Sequence, residues 1–310
     1  MDGFKTPLKC NKKMSSVVYI PPSPQMKKIG CGTGVGVYEL QRSPLPDKFR
    51  SPWAVKKLIK SFKNRDYAKF VNDRVQSEAE ILRKLDHPNI VGFRAFTIDK
   101  DGTNILAMEE CSSSLGDLIE CRLDYLGEVP YPPETILNVS HDIAKALDYL
   151  HNKMFLLHCD IKSFNILVKG EFEICKLCDF GVCLPLTESG ELDFTKTDGE
   201  AEYTGTPCWC PPEVLKSNQE ITTKADIYSF GLVMWEMLAL SPPIDDELVE
   251  ENVTDVNIER KRPDLPDIDL GPEYNLVLEM YFCCTAFEKH KRPAAHDLVG
   301  VLHDSLQKYK

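Results

Sequence analysis

His158-Cys159-Asp160-Ile161-Lys162-Ser163-Phe164-Asn165-Ile166-Leu167-Val168 decides how this chain is read, together with Asp179-Phe180-Gly181 after the short strand-like run Cys175-Lys176-Leu177-Cys178. An aspartate, a lysine and an asparagine at this spacing can serve phosphoryl transfer. Asp160 would orient an attacking hydroxyl and accept its proton, Lys162 would stabilise the group in flight, and Asn165 would bind a metal. Asp179 would hold Mg²⁺ between nucleotide phosphates, because hard cations take oxygen ligands. Either segment alone could be a polar loop. Their order and spacing together point to chemistry.

Towards the N-terminus, Ile29-Gly30-Cys31-Gly32-Thr33-Gly34-Val35-Gly36-Val37-Tyr38 is dense in glycine, which lets a backbone approach a phosphate and aim N–H groups at it. A dinucleotide-binding turn would open a helix and place an acid about twenty residues on. Val35 to Leu40 alternates like a strand instead, so the run reads as a strand–turn–strand hairpin; a tight hairpin without ligand is the plainer alternative. Trp53-Ala54-Val55-Lys56 ends an apolar strand on a lysine, and a half-buried lysine needs an anion. A helix is expected from Asp66 to Leu85, stopping before His87-Pro88. Val71, Val75, Leu82 and Leu85 share one face of it, and so does Glu78. A carboxylate there either snorkels at the edge of the stripe or meets a cation; Lys56 is its natural partner. Lys57 should point to the opposite face of the strand, into solvent.

The whole composition agrees with a folded chain. Its 310 residues are 43% hydrophobic and 27% charged, which excludes a wholly disordered chain, a collagen and a coiled-coil rod. A net charge of −11 argues against a general nucleic-acid binder, which needs a basic footprint. Phe230 to Leu240 is the longest apolar stretch, is broken by Glu236 and is too short to span a bilayer, so no membrane partner is expected. Met1 to Lys5 lacks an apolar signal core, so the chain is expected in the cytoplasm, the nucleus or both, and its 12 cysteines as thiols. Cys175-x-x-Cys178 and Cys208-x-Cys210 do not match a zinc finger or ribbon.

Residues 1–24 are rich in proline and lysine and poor in apolar periodicity, which reads as a disordered tail. From Gln25 to about Met108 the pattern is mostly strand with one long helix; from about Leu115 it is mostly helix. That division is an α+β arrangement in two lobes. Three helical stripes read as plain core: Ile136, Val139, Ile143, Leu147 and Leu150; Ile227, Phe230, Gly231, Met234 and Leu238; Leu298, Val301, Leu302 and Leu306.

In order, the glycine-rich hairpin, Ala54-Val55-Lys56, Glu78, His158-x-Asp160, Asn165, Asp179-Phe180-Gly181 and Pro212-Glu213 resemble a eukaryotic protein kinase, over about residues 25–305. His87-Pro88-Asn89-Ile90, Gly205-Thr206-Pro207, Asp226 with Gly231, and Arg292 support the likeness. The run from Asn165 to Val182 looks most like the MAP-kinase-kinase branch. The resemblance implies a bilobal kinase fold: a regulatory tail over 1–24 and a kinase domain over 25–310, with N-lobe 25–108, hinge 109–112 and C-lobe 113–310. It implies ATP and Mg²⁺ in the cleft. Ile29, Gly30, Cys31, Gly32, Thr33, Gly34, Val37 and Ala54 would cover the nucleotide, Met108 would be the gatekeeper, and Glu109 to Cys111 the hinge. Lys56 and Glu78 would position phosphates, Asn165 and Asp179 would hold the metal, and Asp160 and Lys162 would be catalytic. Glu213 would pair with Arg292 as a buried brace.

Lys162 and Thr206 are of the serine/threonine type, and the MAP-kinase-kinase likeness adds tyrosine as a second acceptor. The resemblance further implies protein substrates, MAP kinases among them, and work in dividing cells. A scaffold that binds nucleotide and partners without transferring phosphate is the alternative reading. Three departures stand out. Val35 occupies the register of the third loop glycine, Cys159 replaces the arginine that usually receives an activation-loop phosphate, and Pro211 replaces an alanine. The loss at Cys159 implies weak dependence on that phosphate. Thr187 to Glu202 is acidic; a solvated loop is its plain reading and a preference for basic substrates its functional one. Asp245, Asp246, Glu247, Glu250, Glu251 and Asp255 read as an acidic surface insertion. Thr6-Pro7-Leu8-Lys9 fits a cyclin-dependent kinase site, with Ser23-Pro24 a lesser one. The ending Gln307-Lys308-Tyr309-Lys310 lacks the apolar terminal residue of a PDZ ligand, so PDZ binding is not expected.

Overall fold

The protein is described from a computed structural model, which covers residues 26–32, 34–41, 52–59, 65–197, 202–215, 220–243 and 262–307. Thr6, Ser23, Thr33, the tail over 1–24 and the acidic cluster from Asp245 to Asp255 lie outside the described residues.

The N-terminal part is one antiparallel sheet. Its strands are β1 (Met26–Gly32), β2 (Val35–Leu40), β3 (Trp53–Leu58), β4 (Phe93–Ile98) and β5 (Asn104–Glu109), in the order β1-β2-β3-β5-β4. Helix α1 (Arg65–Leu82) packs on this sheet. Alternation sorts β3 as expected. Val55 joins Leu40, Ala95 and Ala107 in a small cluster on one face, while Lys56 is turned towards α1. Lys57 is not simply solvated. Its Nζ lies 5.0 Å from the centre of the Tyr38 ring and 3.8 Å from Met26 Sδ, so neighbouring strands cover its stem and head.

Helix α1 ends at Leu82, short of the expected Leu85. The next amides turn to tighter i→i−3 bonds, Lys84 N to Ile81 O at 2.9 Å and Leu85 N to Leu82 O at 3.2 Å. A helix that must stop before Pro88 closes its last turn this way. The following segment is tied to the lower part: Val91 N donates to Leu177 O and Leu177 N to Asn89 O, each at 2.9 Å.

The C-terminal part holds α2 (Leu115–Leu126), α3 (Pro133–Tyr149), the four-residue α4 (Pro212–Leu215), α5 (Lys224–Ala239), α6 (Asn275–Cys284) and α7 (Ala295–Leu306). Two small antiparallel sheets sit among them: β6 (Ser113–Ser114), β8 (Ile166–Lys169) and β9 (Ile174–Leu177) in one, β7 (Leu156–Leu157) and β10 (Leu184–Pro185) in the other. The α3 stripe from Ile136 to Leu150 is buried throughout. Helix α5 exceeds its expected stripe: every residue from Ala225 to Leu238 is buried, which makes it the axis of this half. Helix α7 corrects its stripe. Leu298 and Leu302 are buried together with Ala295, whereas Val301 is 48% exposed and Leu306 half-buried. The i, i+4 pair faces α3, and Val301 is turned off that face.

This difference is measurable. Leu302→Ala is expected to cost about 2–5 kcal/mol of unfolding free energy and Val301→Ala within about 0.5 kcal/mol, read from urea midpoints at constant slope. Equal costs would place both side chains in the core.

Candidate active site

Strand β3, helix α1 and the loop after β9 converge on one lysine. Lys56 Nζ lies 2.8 Å from Glu78 Oε2 and 2.8 Å from Asp179 Oδ1. Glu78 is 1% exposed, which corrects the snorkelling alternative; it projects from the same face of α1 as Val71, Val75 and Leu82. Burial alone would lower the Lys56 pKa, but the charges of Asp179 and Glu78 outweigh it and hold the ammonium well above the usual lysine range. Burial pushes Glu78 upward, and its Oε1 has no hydrogen-bond partner. Asp179 goes the other way. Burial would raise it, Lys56 overrides that, and the carboxyl falls to about 2. Its side chain keeps 41% of its surface, so the charge faces the cleft.

Asp179 sits at φ +64°, outside ordinary L-residue space, in a turn that buries Phe180 behind it. The Phe180 ring meets the His158 ring edge-on at 5.2 Å. His158 precedes a loop that is pinned from below. Asp226, at the start of α5, accepts from His158 N at 2.8 Å and Cys159 N at 3.0 Å, and it meets His151 Nε2 at 2.8 Å. A carboxylate that is 0% exposed and holds two backbone amides fixes where the next residue, Asp160, begins.

Asp160 is surrounded by donors. Its Oδ1 accepts from Thr206 N at 3.0 Å and Thr206 Oγ1 at 2.6 Å; its Oδ2 accepts from Lys162 Nζ at 2.9 Å and Asn165 Nδ2 at 2.8 Å. Lys162 Nζ also donates to Thr206 Oγ1 at 2.6 Å. Burial would raise the Asp160 pKa, and Lys162 with Thr206 outweigh it and hold it low. The Asn165 amide nitrogen is spent on Asp160, since it also donates to the Asp160 carbonyl at 2.7 Å, which leaves the amide oxygen as a ligand. One ionised carboxylate and one amide oxygen suit a hard cation whose other ligands come from phosphate and water. Among the described residues no group of three or more His, Cys, Asp or Glu could hold a metal alone.

The remaining expected residues fall around this centre. Gly30 pairs with Val37 and Gly32 with Val35 across the hairpin, and Cys31 pairs with Gly36. Ile29 lies at an irregular step of β1 and is 42% exposed. Gly34 takes φ +86°, where a Cβ would press on Val71 at 3.0 Å. Val35 turns inward and is buried with Val71 and Val75, so the departure from glycine is absorbed by packing on α1. Ala54 and Met108 are cross-strand partners and both buried. Glu109 ends β5, and Cys111 follows it half-buried, its thiol pushed up to about 11 by burial. Among the described residues the cysteines are free thiols.

Three groups escaped the sequence reading. Asp226 and Gly231 marked the family resemblance without a role. Glu236 accepts from Ser163 Oγ at 2.5 Å and Trp209 Nε1 at 2.7 Å, and so joins the Asp160 loop to the segment after Thr206. The third is the packing around Cys159, which is 0% exposed among Leu157, Leu186 and Leu192. Leu192 also corrects the acidic segment, which is more than a solvated loop: Thr187 N donates to Glu191 O at 2.8 Å and Thr223 N to Gly190 O at 3.0 Å. Below it, Arg292 grips Glu213 with two bonds of 2.6 and 2.8 Å, both side chains being buried.

This fold and this set of side chains define a phosphotransferase, and comparison with known proteins agrees. The protein kinase domain matches residues 24–301, and the chain therefore belongs to the protein kinase family, whose members use ATP and a divalent metal. It is 43% identical to the human lymphokine-activated killer T-cell-originated protein kinase, over 97% of this chain and 98% of that protein. It is 31% identical to the probable serine/threonine-protein kinase drkC of Dictyostelium discoideum and 30% to the serine/threonine-protein kinase CTR1 of Arabidopsis thaliana. These alignments cover 76% and 79% of this chain, but 29% and 28% of those longer proteins.

Glu236 generates a pH prediction. Burial lifts its carboxyl from 4.5 to about 7, so the folded state binds an extra proton between these values. Its contribution is complete below about pH 4.5 and is lost as pH rises towards 7, on the order of 3 kcal/mol in all. Glu236→Gln should remove that slope from denaturation curves taken between pH 5 and 7. An unchanged slope would assign the titration elsewhere.

Proposed function

We propose that the chain is a serine/threonine protein kinase that transfers the γ-phosphate of Mg²⁺-bound ATP to protein hydroxyls, with tyrosine as a second acceptor. The observation that carries this reading is the Thr206–Asp160–Lys162 cluster, in which both carboxylate oxygens of Asp160 are held by donors. A carboxylate kept low in pKa is suited to aligning an acceptor hydroxyl more than to stripping it of its proton early, and that matches phosphoryl transfer, where positioning and charge dominate. Lys56 is assigned to the α- and β-phosphates, oriented by Glu78. Asp179 and Asn165 are assigned to Mg²⁺, which when bound would neutralise charge between the phosphates. Lys162 would stand beside the transferring group, and Thr206 would fix the Asp160 rotamer. Met108, Glu109 and Cys111 are assigned to the adenine side, Ile29 to Gly34, Val37 and Ala54 to its cover.

The same assignment divides the chain into a regulatory tail over 1–24 and a kinase domain over 25–310, with the hinge at 109–112. Thr6 is assigned as a site for a cyclin-dependent kinase and Ser23 as a second, MAP kinases as substrates, dividing cells as the setting, and the cytoplasm or nucleus as the place. No helix among the described residues is long and apolar enough to cross a membrane. The likeness to the human T-cell-originated kinase, which spans nearly the whole chain, supports the protein-kinase reading on which these assignments rest.

The Cys159 cluster supports independence from activation-loop phosphate. A thiol enclosed by Leu157, Leu186 and Leu192 offers no cation to a phosphate, and apolar packing holds the segment in its place. Replacing Thr195, Thr197 and Thr204 together by alanine is expected to leave turnover within about threefold; loss of activity in the folded protein would contradict this.

With labelled ATP and Mg²⁺, the wild-type chain should phosphorylate a basic protein at roughly the 1–100 per second of protein kinases, and Asp160→Asn should lose at least about a thousandfold. Phosphoamino-acid analysis of the product should return phosphoserine and phosphothreonine, with phosphotyrosine as the lesser product; its absence would leave a serine/threonine kinase alone. Equal labelling by both forms would leave the scaffold reading in its place.

A further inference from the structure

We propose that Asn72 and Asn104 form a clamp that sets α1 so that Glu78 meets Lys56, which makes both asparagines positioning residues for phosphate transfer. The clamp has three hydrogen bonds. Asn104 N donates to Asn72 Oδ1 at 2.7 Å, Asn104 Nδ2 to the Asn72 carbonyl at 2.9 Å, and Asn72 Nδ2 to the Gly102 carbonyl at 3.1 Å. Backbone partners on both sides fix which way each amide points. Asn104 is 3% exposed and Asn72 is half-buried. The inference rests on the assignment of Lys56 to the nucleotide phosphates and adds what holds the helix that carries its partner.

The need for a clamp follows from how α1 is attached. From Arg65 to Val71 only Val71 is buried, and the buried apolar face then continues through Val75, Ala79 and Leu82. Apolar contact has no direction, so it leaves a helix some freedom to turn about its axis or slide along it. Hydrogen bonds to a fixed point remove that freedom, because they weaken steeply with distance and angle. The point is fixed here. Asn104 opens β5, two residues before Leu106, and Leu106 is the cross-strand partner of Lys56. The turn ahead of Asn104 is closed by bonds of its own, Asp99 N to Thr103 O at 2.8 Å and Gly102 N to Asp99 O at 2.9 Å. Lys56, β3, β5, Asn104, Asn72, α1 and Glu78 therefore form a closed circuit. The clamp stands about 9 Å along the helix from Glu78. A displacement of about an ångström there would carry the 2.8 Å contact between Glu78 and Lys56 out of hydrogen-bond range. Val71, beside Asn72, lies against the Gly34 turn, so the clamp also sets the support beneath the glycine-rich hairpin.

The test uses the full chain, with kcat and KM measured for ATP and for a basic acceptor protein. Asn72→Ala should lower kcat/KM for ATP at least about fivefold and leave KM for the acceptor unchanged. Asn72→Asp keeps an oxygen for Asn104 N and should stay within about twofold of wild type. In a Glu78→Ala background, Asn72→Ala should add no further loss, because the side chain it positions is gone. Hydrogen exchange read by mass spectrometry should rise across residues 71–82 in Asn72→Ala and stay as in wild type across β3. Asn72→Gln, whose longer amide meets Asn104 only if the helix moves, gives the same readouts should the alanine variant fold poorly. A variant that is less heat-stable but has wild-type kinetics would overturn the proposal. So would losses that multiply with Glu78→Ala, or an aspartate as poor as alanine. A wild-type chain that transfers no phosphate would sink the kinase reading instead, and unchanged exchange in α1 would then still contradict the clamp.

Discussion

A lysine held between two carboxylates is the constraint on which the rest of this structure depends. Lys56, Glu78 and Asp179 belong to a strand, a helix and a loop, and the two distances of 2.8 Å hold only while all three elements stand in register. Burying such charges is costly, and removing one partner from a buried pair typically costs about 3–5 kcal/mol. The trio is also incomplete by charge, with two anions to one cation, and Glu78 Oε1 is unpartnered. The surplus lies on Asp179, whose carboxylate is open to the cleft and stays ionised. An arrangement of this kind is stable by itself and stronger with a cation and phosphates beside it.

The lower half solves a different problem. A loop carrying Asp160 and a segment carrying Thr206 must meet at hydrogen-bond distance, although neither is regular structure. Helix α5 does this from beneath with two buried carboxylates. Asp226 takes the amides of His158 and Cys159, and Glu236 takes the Ser163 hydroxyl and the Trp209 indole. Gly205 completes the approach, because a Cβ there would run into the Cys159 carbonyl oxygen. Leu157, Leu186 and Leu192 pack about Cys159 and hold the segment after β10 against the Asp160 loop.

Much of this was legible in the residues, and one argument shows both its reach and its limit. Glu78 on an apolar stripe and Lys56 at the end of an apolar strand were each unexplained alone and explained together. Asp226 and Glu236 carry the same signal, a carboxylate inside an apolar helix, yet their partners are backbone amides, the buried His151, a serine and a tryptophan, none of which stands out in the sequence as a lysine or arginine on an apolar stripe would. Val301 and Lys57 were misjudged for a related reason. Periodicity assigns a face, but the neighbouring element decides how wide the covered face is. Leu192 was hidden among acids, and its burial comes from a tertiary contact with Leu186 and Cys159 that local composition does not encode.

The most direct measurement is a double-mutant cycle on kcat/KM for ATP, with Lys56→Met, Glu78→Gln and both together. If Glu78 acts by holding Lys56 in place, the double variant will be no worse than Lys56→Met alone, and the coupling will equal nearly the whole effect of Glu78→Gln. Losses that simply multiply would mean that the two side chains act separately, and that the shared lysine does not organise the site.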